Sequence, residues 1–111
     1  MAEPYLSELR SIVEQANLRC KTPGGILCRH FFSGAAAYVD GHIFMTLTTV
    51  GLALKLPEDD RSTLFDQGAK SLQYFPQAPI KKDYAVLPSR LLDDHSRLSD
   101  WISRSIDFVL G

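Results

Sequence analysis

The chain has 111 residues, 45% hydrophobic and 23% charged, with a formal net charge of -1. Its length suits one hydrophobic core, so we expect residues 1–111 to form a single domain. The composition is that of an ordinary globular protein and excludes a largely disordered chain. The near-neutral charge argues against nucleic-acid binding, which is driven by contacts between a basic surface and phosphates.

The N-terminal segment lacks the features of a secretion signal. Glu3 stands where a signal peptide carries positive charge, and no apolar run is long enough for a signal core or a membrane span. We therefore expect a cytoplasmic protein with no membrane partner. In that reducing compartment Cys20 and Cys28 are expected to be free thiols.

The first half of the chain predicts a helix followed by four strands. Apolar residues recur at helical spacing from Pro4 to about Leu18, and the turn-forming segment 21–25 ends that helix. Short connections then separate strand candidates at 26–32, 35–39, 42–48 and 51–56, as antiparallel hairpins require. The pair Asp40-Gly41 suits a tight turn because both residue types tolerate positive φ.

The second half predicts a short helix, two strands and a longer helix. After Pro57, the carboxylates of Glu58, Asp59 and Asp60 favour a helix start, and Gly68 favours its end. Strand candidates follow at 72–75 and 84–86, and the last helix runs from about Ser96 to the chain end. The predicted fold is α+β, with an antiparallel sheet of about six strands backed by helices in the order α-β4-α-β2-α.

The hairpin around Asp40-Gly41 offers a candidate interaction surface. A two-residue turn pairs Val39 with His42, whereas a three-residue turn pairs Tyr38 with His42. Strict alternation along 42–48 places Ile43, Met45 and Leu47 in the core under either turn. The candidate surface for self-association or protein binding is on the other face and comprises His42, Phe44, Thr46, Ala37 and Val39. The alternative is that a helix or the loop 76–83 covers Phe44.

Three segments together resemble the N-terminal domain of the TfoX/Sxy family of competence regulators. They are FFSGAAAYVDGHIF (31–44), LALKLPEDDR with DQGAKSLQYF (52–61 and 66–75), and YAVLPSRLLDDHSRLSDWISRSI (84–106). The resemblance implies a secretion-chaperone-like α+β architecture and a link to transcriptional regulation of competence. The segment Phe31-Phe32-Ser33-Gly34 departs from the Met-Phe-Gly-Gly expected of the family.

Catalytic and metal-binding patterns are weak. Cys20, Cys28, His30 and His42 lack the paired spacing of structural zinc ligands. Ser33 lacks the glycine-flanked elbow of a serine nucleophile. Trp101 shares a helical face with Leu98 and Ile102, which favours a core position. We expect neither a catalytic residue nor a cofactor or metal.

The leading hypothesis is a non-catalytic protein that acts through a protein partner or through self-association. One alternative is a small-molecule binder or small enzyme with a pocket between sheet and helices. Another is weak direct DNA binding through Arg19, Lys21 and Arg29 and through Lys81 and Lys82.

Overall fold

The computed structural model describes residues 3–15, 25–31, 34–73 and 77–111. These residues contain four helices: α1 (Glu3–Gln15), α2 (Glu58–Asp66), α3 (Ser89–Leu92) and α4 (His95–Leu110). They also contain six strands: β1 (Ile26–Phe31), β2 (Gly34–Val39), β3 (His42–Thr48), β4 (Gly51–Lys55), β5 (Lys70–Leu72) and β6 (Lys81–Val86). In this part of the chain every helix is too short or too polar to cross a lipid bilayer.

The strands form one antiparallel sheet in the order β1-β2-β3-β4-β6-β5, which confirms the predicted α+β class. One row of neighbours across the sheet defines its helix-packed face: Cys28, Ala37, Met45, Leu54 and Ala85. All five are buried in one cluster with residues of α1 and α4. The next row lies on the opposite face and runs Arg29, Ala36, Thr46, Ala53, Val86.

Local signals explain how several elements begin and end. Asp40 and Gly41 have φ of +50° and +80°, and Val39 pairs with His42, so the hairpin has the two-residue turn. Helix α2 has its three carboxylates in the first turn. The carboxylate of Asp94 accepts a hydrogen bond from the backbone N–H of Arg97 and caps α4.

Two strands begin earlier than the sequence predicted, and one short helix was not predicted. β5 begins at Lys70 rather than at residue 72, and positions 74–76 lie outside the described residues. β6 begins at Lys81, three residues earlier than expected. Helix α3 was not predicted, because a single turn after Pro88 is too short to show helical periodicity.

Strand β3 contains a β-bulge at Phe44. Tyr38 pairs with Ile43, but the next residue of β2, Ala37, pairs with Met45, so Phe44 is an extra residue in β3. At a bulge two residues of one strand oppose one residue of its partner, and the strict alternation of side chains is lost. The prediction that alternation continues through 42–48 was therefore wrong at this position.

Candidate functional site

The structure buries four of the five residues predicted to form the interaction surface. Phe44, Thr46, Ala37 and Val39 are each 0% exposed, and only His42 lies at the surface. Phe44 joins Met45 in the cluster on the helix-packed face because of the bulge. Thr46 remains on the opposite face between Ala36 and Ala53. This prediction required an exposed apolar patch around Phe44, and the described residues form no such patch.

Helix α4 lies over the bulge and is tied to it by a buried hydroxyl. Ser105 Oγ is 2.9 Å from the carbonyl oxygen of Phe44 and 2.7 Å from that of Lys55, at the end of β4. A serine hydroxyl has one proton, so these two carbonyls share a single donor. Phe44 lies beneath a helix, as the alternative hypothesis held, and its role is to anchor α4 on the sheet.

The residues considered for chemistry are spread over the molecule. Cys28 is buried on the helix-packed face, whereas His30 and His42 are exposed on strands separated by β2. Cys20 and Ser33 lie outside the described residues. Within the described ranges, no three His, Cys, Asp or Glu side chains lie together as metal ligands do.

The acidic start of α2 and the residue Trp101 have structural contacts. Arg104 of α4 lies 3.1 Å from the carboxylate of Asp60 and joins the two helices. The Arg104 guanidinium also lies 5.2 Å from the centre of the Trp101 ring. Trp101 packs against the core cluster but stays partly exposed. It is therefore less buried than the core position that the sequence predicted.

The basic residues proposed for DNA contact do not form one surface. Arg29 is exposed on β1, and Lys81 and Lys82 are exposed on β6, with three strands between them. Four strand spacings separate these positions by roughly 19 Å. Arg19 and Lys21 lie outside the described residues.

A groove runs between strand β1 and helix α1. It has a volume of about 280 Å³ and is lined by Arg10, Val13, Glu14, Ile26, Leu27 and Cys28. Leu27 is 49% exposed, a large exposed fraction for an aliphatic side chain in a strand. Burial raises the pKa of the Cys28 thiol above its ordinary value of 9.0, and the Arg10 guanidinium partly opposes that rise.

Sequence reasoning missed this groove although it predicted both elements that form it. The exposure of Leu27 depends on β1 being the edge of the sheet, which is a property of strand order. One signal was available: β1 is followed at once by its hairpin partner β2, so its other side stays unpaired unless a later strand returns to it.

A second cleft, of about 500 Å³, lies beside the hairpin turn. It is lined by Gly41, His42, Ile43, Lys55, Asp83, Phe108 and Val109. Its charged groups, Lys55 and Asp83, come from two strands, and Phe108 of α4 is 40% exposed. The cleft therefore combines an aromatic wall with side chains of both charge signs.

The comparison with protein families gives one match. The TfoX N-terminal domain matches residues 19–109, which is most of the chain. No curated protein matches the chain. The family match confirms the resemblance drawn from the sequence and includes all six strands.

Proposed function

Because the chain belongs to the TfoX N-terminal domain family, we propose that it is a non-catalytic regulatory protein of the cytoplasm that acts by binding proteins. Its proposed process is the transcriptional control of natural competence, to which the family resemblance links it. The observation that carries this proposal is the family match over residues 19–109.

The surface of the chain supports action by association. The largest fully buried side chains are mainly aliphatic, and most of them pack in one cluster between the sheet and its helices. Among the described residues, four large apolar side chains are exposed on the surface: Leu27, Phe65, Ile80 and Phe108. Exposed apolar side chains favour protein contacts when they lie beside a groove, as Leu27 does.

Deleting the gene in the organism that encodes it tests the regulatory role. We expect the transcripts of competence genes and the frequency of transformation to change, and an added wild-type copy to restore both. Unchanged transcripts under conditions in which the parent strain is competent would contradict the proposal.

The cleft beside the hairpin turn favours a second candidate, the binding of a small molecule. A ligand with an aromatic ring and a charged group would fit Phe108 and the side chains of Lys55 and Asp83. Its binding should raise the melting temperature, because a ligand that binds only the folded state stabilises it by mass action. A metabolite panel that produces no shift, or the same shift in wild type and Phe108→Ala, would remove this candidate.

A further inference from the structure

The two edges of the sheet differ in length and in side chains. β5 has three residues, an exposed Lys70 and an irregular register after Ser71, all of which discourage another strand from pairing with it. β1 has six residues, and within the described residues β2 is its one strand partner. The exposed Leu27 lies on this edge. Among the described residues, the β5 edge has several of the protections that soluble proteins use against strand addition, whereas on β1 the exposed charged residue is Arg29.

Helix α1 places opposite charges beside the β1 edge. Arg10 and Glu14 are both exposed, lie one helical turn apart and line the same groove as Leu27. A two-fold axis reverses the direction of a neighbouring copy. When the axis passes between the two positions, Arg10 of one copy faces Glu14 of the other, and the surface is complementary to itself.

We propose that this chain forms a homodimer in which the β1 strands of two copies pair antiparallel and join their sheets. The inference rests on the proposed mode of action by association, and it names the surface and the partner. A second copy fits better than an unrelated strand for two reasons. The charges on α1 are self-complementary, and a symmetric pair leaves only the two protected β5 edges at the ends of the joined sheet.

The side chains of β1 set the register of the pair. An axis through Leu27 brings the two Leu27 side chains together and keeps both helix-packed faces on one side, so the two α1 helices lie next to each other. An axis through Arg29 would instead place two guanidinium groups directly opposite, which destabilises a strand pair. The axis therefore lies on the N-terminal side of Arg29, at Leu27 or Cys28.

Sedimentation equilibrium of wild type, Leu27→Lys and Ile80→Lys tests the surface. Ile80 is the matched control, since it is 54% exposed and lies just before β6, away from β1. Wild type and Ile80→Lys should sediment as dimers, and Leu27→Lys should sediment as a monomer. Circular dichroism should show that Leu27→Lys is folded. At about 1 mM, only a dimer whose association free energy is weaker than about 4 kcal/mol escapes detection. A wild type that stays monomeric up to that concentration would overturn the proposal. So would a Leu27→Lys protein that dimerises as wild type does.

A charge exchange on α1 tests the geometry without touching the sheet. Arg10→Glu and Glu14→Arg should each raise the dimer dissociation constant about tenfold, because each creates two like-charge contacts across the axis. The double variant Arg10→Glu with Glu14→Arg restores opposite charges and should return the constant to near the wild-type value. A double variant no tighter than either single variant would contradict the antiparallel arrangement.

Complementation of the gene deletion separates this inference from the proposed function. A wild type that restores transcripts but is monomeric refutes the dimer and leaves the regulatory role. A dimer whose gene has no effect on those transcripts refutes the role and leaves the dimer. If both stand, Leu27→Lys should fail to complement while Ile80→Lys succeeds.

Discussion

Strand β3 lies inside the sheet and has five consecutive buried residues, 44–48, whereas strand β1 lies at the edge and has one, Cys28. Both strands contain apolar and polar residues, with the sequences ILCRHF in β1 and HIFMTLT in β3. The neighbours of each strand decide the difference. β3 has a strand on each side and α4 above its bulge, while β1 has β2 on one side and α1 above it. An apolar strand side chain thus stays exposed at the edge of this sheet, as Leu27 does, and is buried in its middle, as Phe44 is.

Replacing the buried aromatic residue of β3 should have the largest effect. Phe44→Ala leaves a cavity in the core cluster and should lower the free energy of unfolding by about 3–5 kcal/mol. Leu27→Ala is the matched change in β1 and should alter it by less than about 0.5 kcal/mol in dilute protein, as exposed positions do. Urea titrations of both variants make the comparison. Equal losses of stability would show that the two strands do not differ in burial.

The hydroxyl that fixes α4 on the bulge should come next. Ser105→Ala removes the donor to the carbonyls of Phe44 and Lys55 and should cost about 1–3 kcal/mol, the range for a buried group left unpaired. Ser103→Ala, an exposed serine of the same helix, is the control and should be almost neutral. If the two variants have the same stability, the hydroxyl does not anchor α4.

Two threonines of β3 should respond in opposite directions to the same change. Thr46 is 0% exposed, and its hydroxyl has no hydrogen-bond partner among the described residues, so Thr46→Val should raise stability by about 1 kcal/mol. The hydroxyl of Thr48 accepts a hydrogen bond from the backbone N–H of Val50 at 3.3 Å, so Thr48→Val should lower stability. Calorimetry of both variants tests this. A Thr46→Val protein less stable than wild type would mean that the hydroxyl has a partner.

The smallest expected effect is a pH dependence from Cys28 of β1. Its thiol pKa is raised in the folded state, mainly by burial, so the folded protein holds this proton more tightly than the unfolded chain does. The resulting stability is fully present below the ordinary value of 9.0 and is lost as the pH rises from there through the folded pKa. Cys28→Ala should therefore lose less stability than wild type above pH 9.0. Parallel stability curves for the two proteins over that range would contradict the burial of the thiol.

Features of the fold that depend on neighbouring residues were predictable from the sequence. The Asp40-Gly41 turn, the acidic start of α2 and the Asp94 cap each have a signal within a few residues. The bulge at Phe44 has no such signal. Ala37 pairs with Met45 rather than with Phe44, and the hydroxyl that binds the Phe44 carbonyl belongs to Ser105, 61 residues later. The pairing of β4 with β6 rather than β5 is also long-range.

The candidate site was less predictable than the fold for the same reason. The sequence places Leu27 in a strand, but its exposure follows from the position of β1 in the sheet order. The five residues of the predicted surface were chosen by alternation along β3 and by the pairing that a two-residue turn gives with β2. Alternation fails at the bulge, and it gives no information on which faces of a central strand are covered.

Hydrogen exchange of backbone amides, measured at several protein concentrations, tests most directly whether the contact surface lies on β1 rather than β3. Amides of β1 that point away from β2 gain strand partners in the proposed dimer, so their exchange should slow as the concentration rises. The amides of β3 should exchange slowly at every protein concentration, because β3 is paired on both sides within one chain. Their exchange should slow little as the concentration rises. If the β1 amides exchange at the same rate across a concentration range over which wild type becomes dimeric, the account is contradicted.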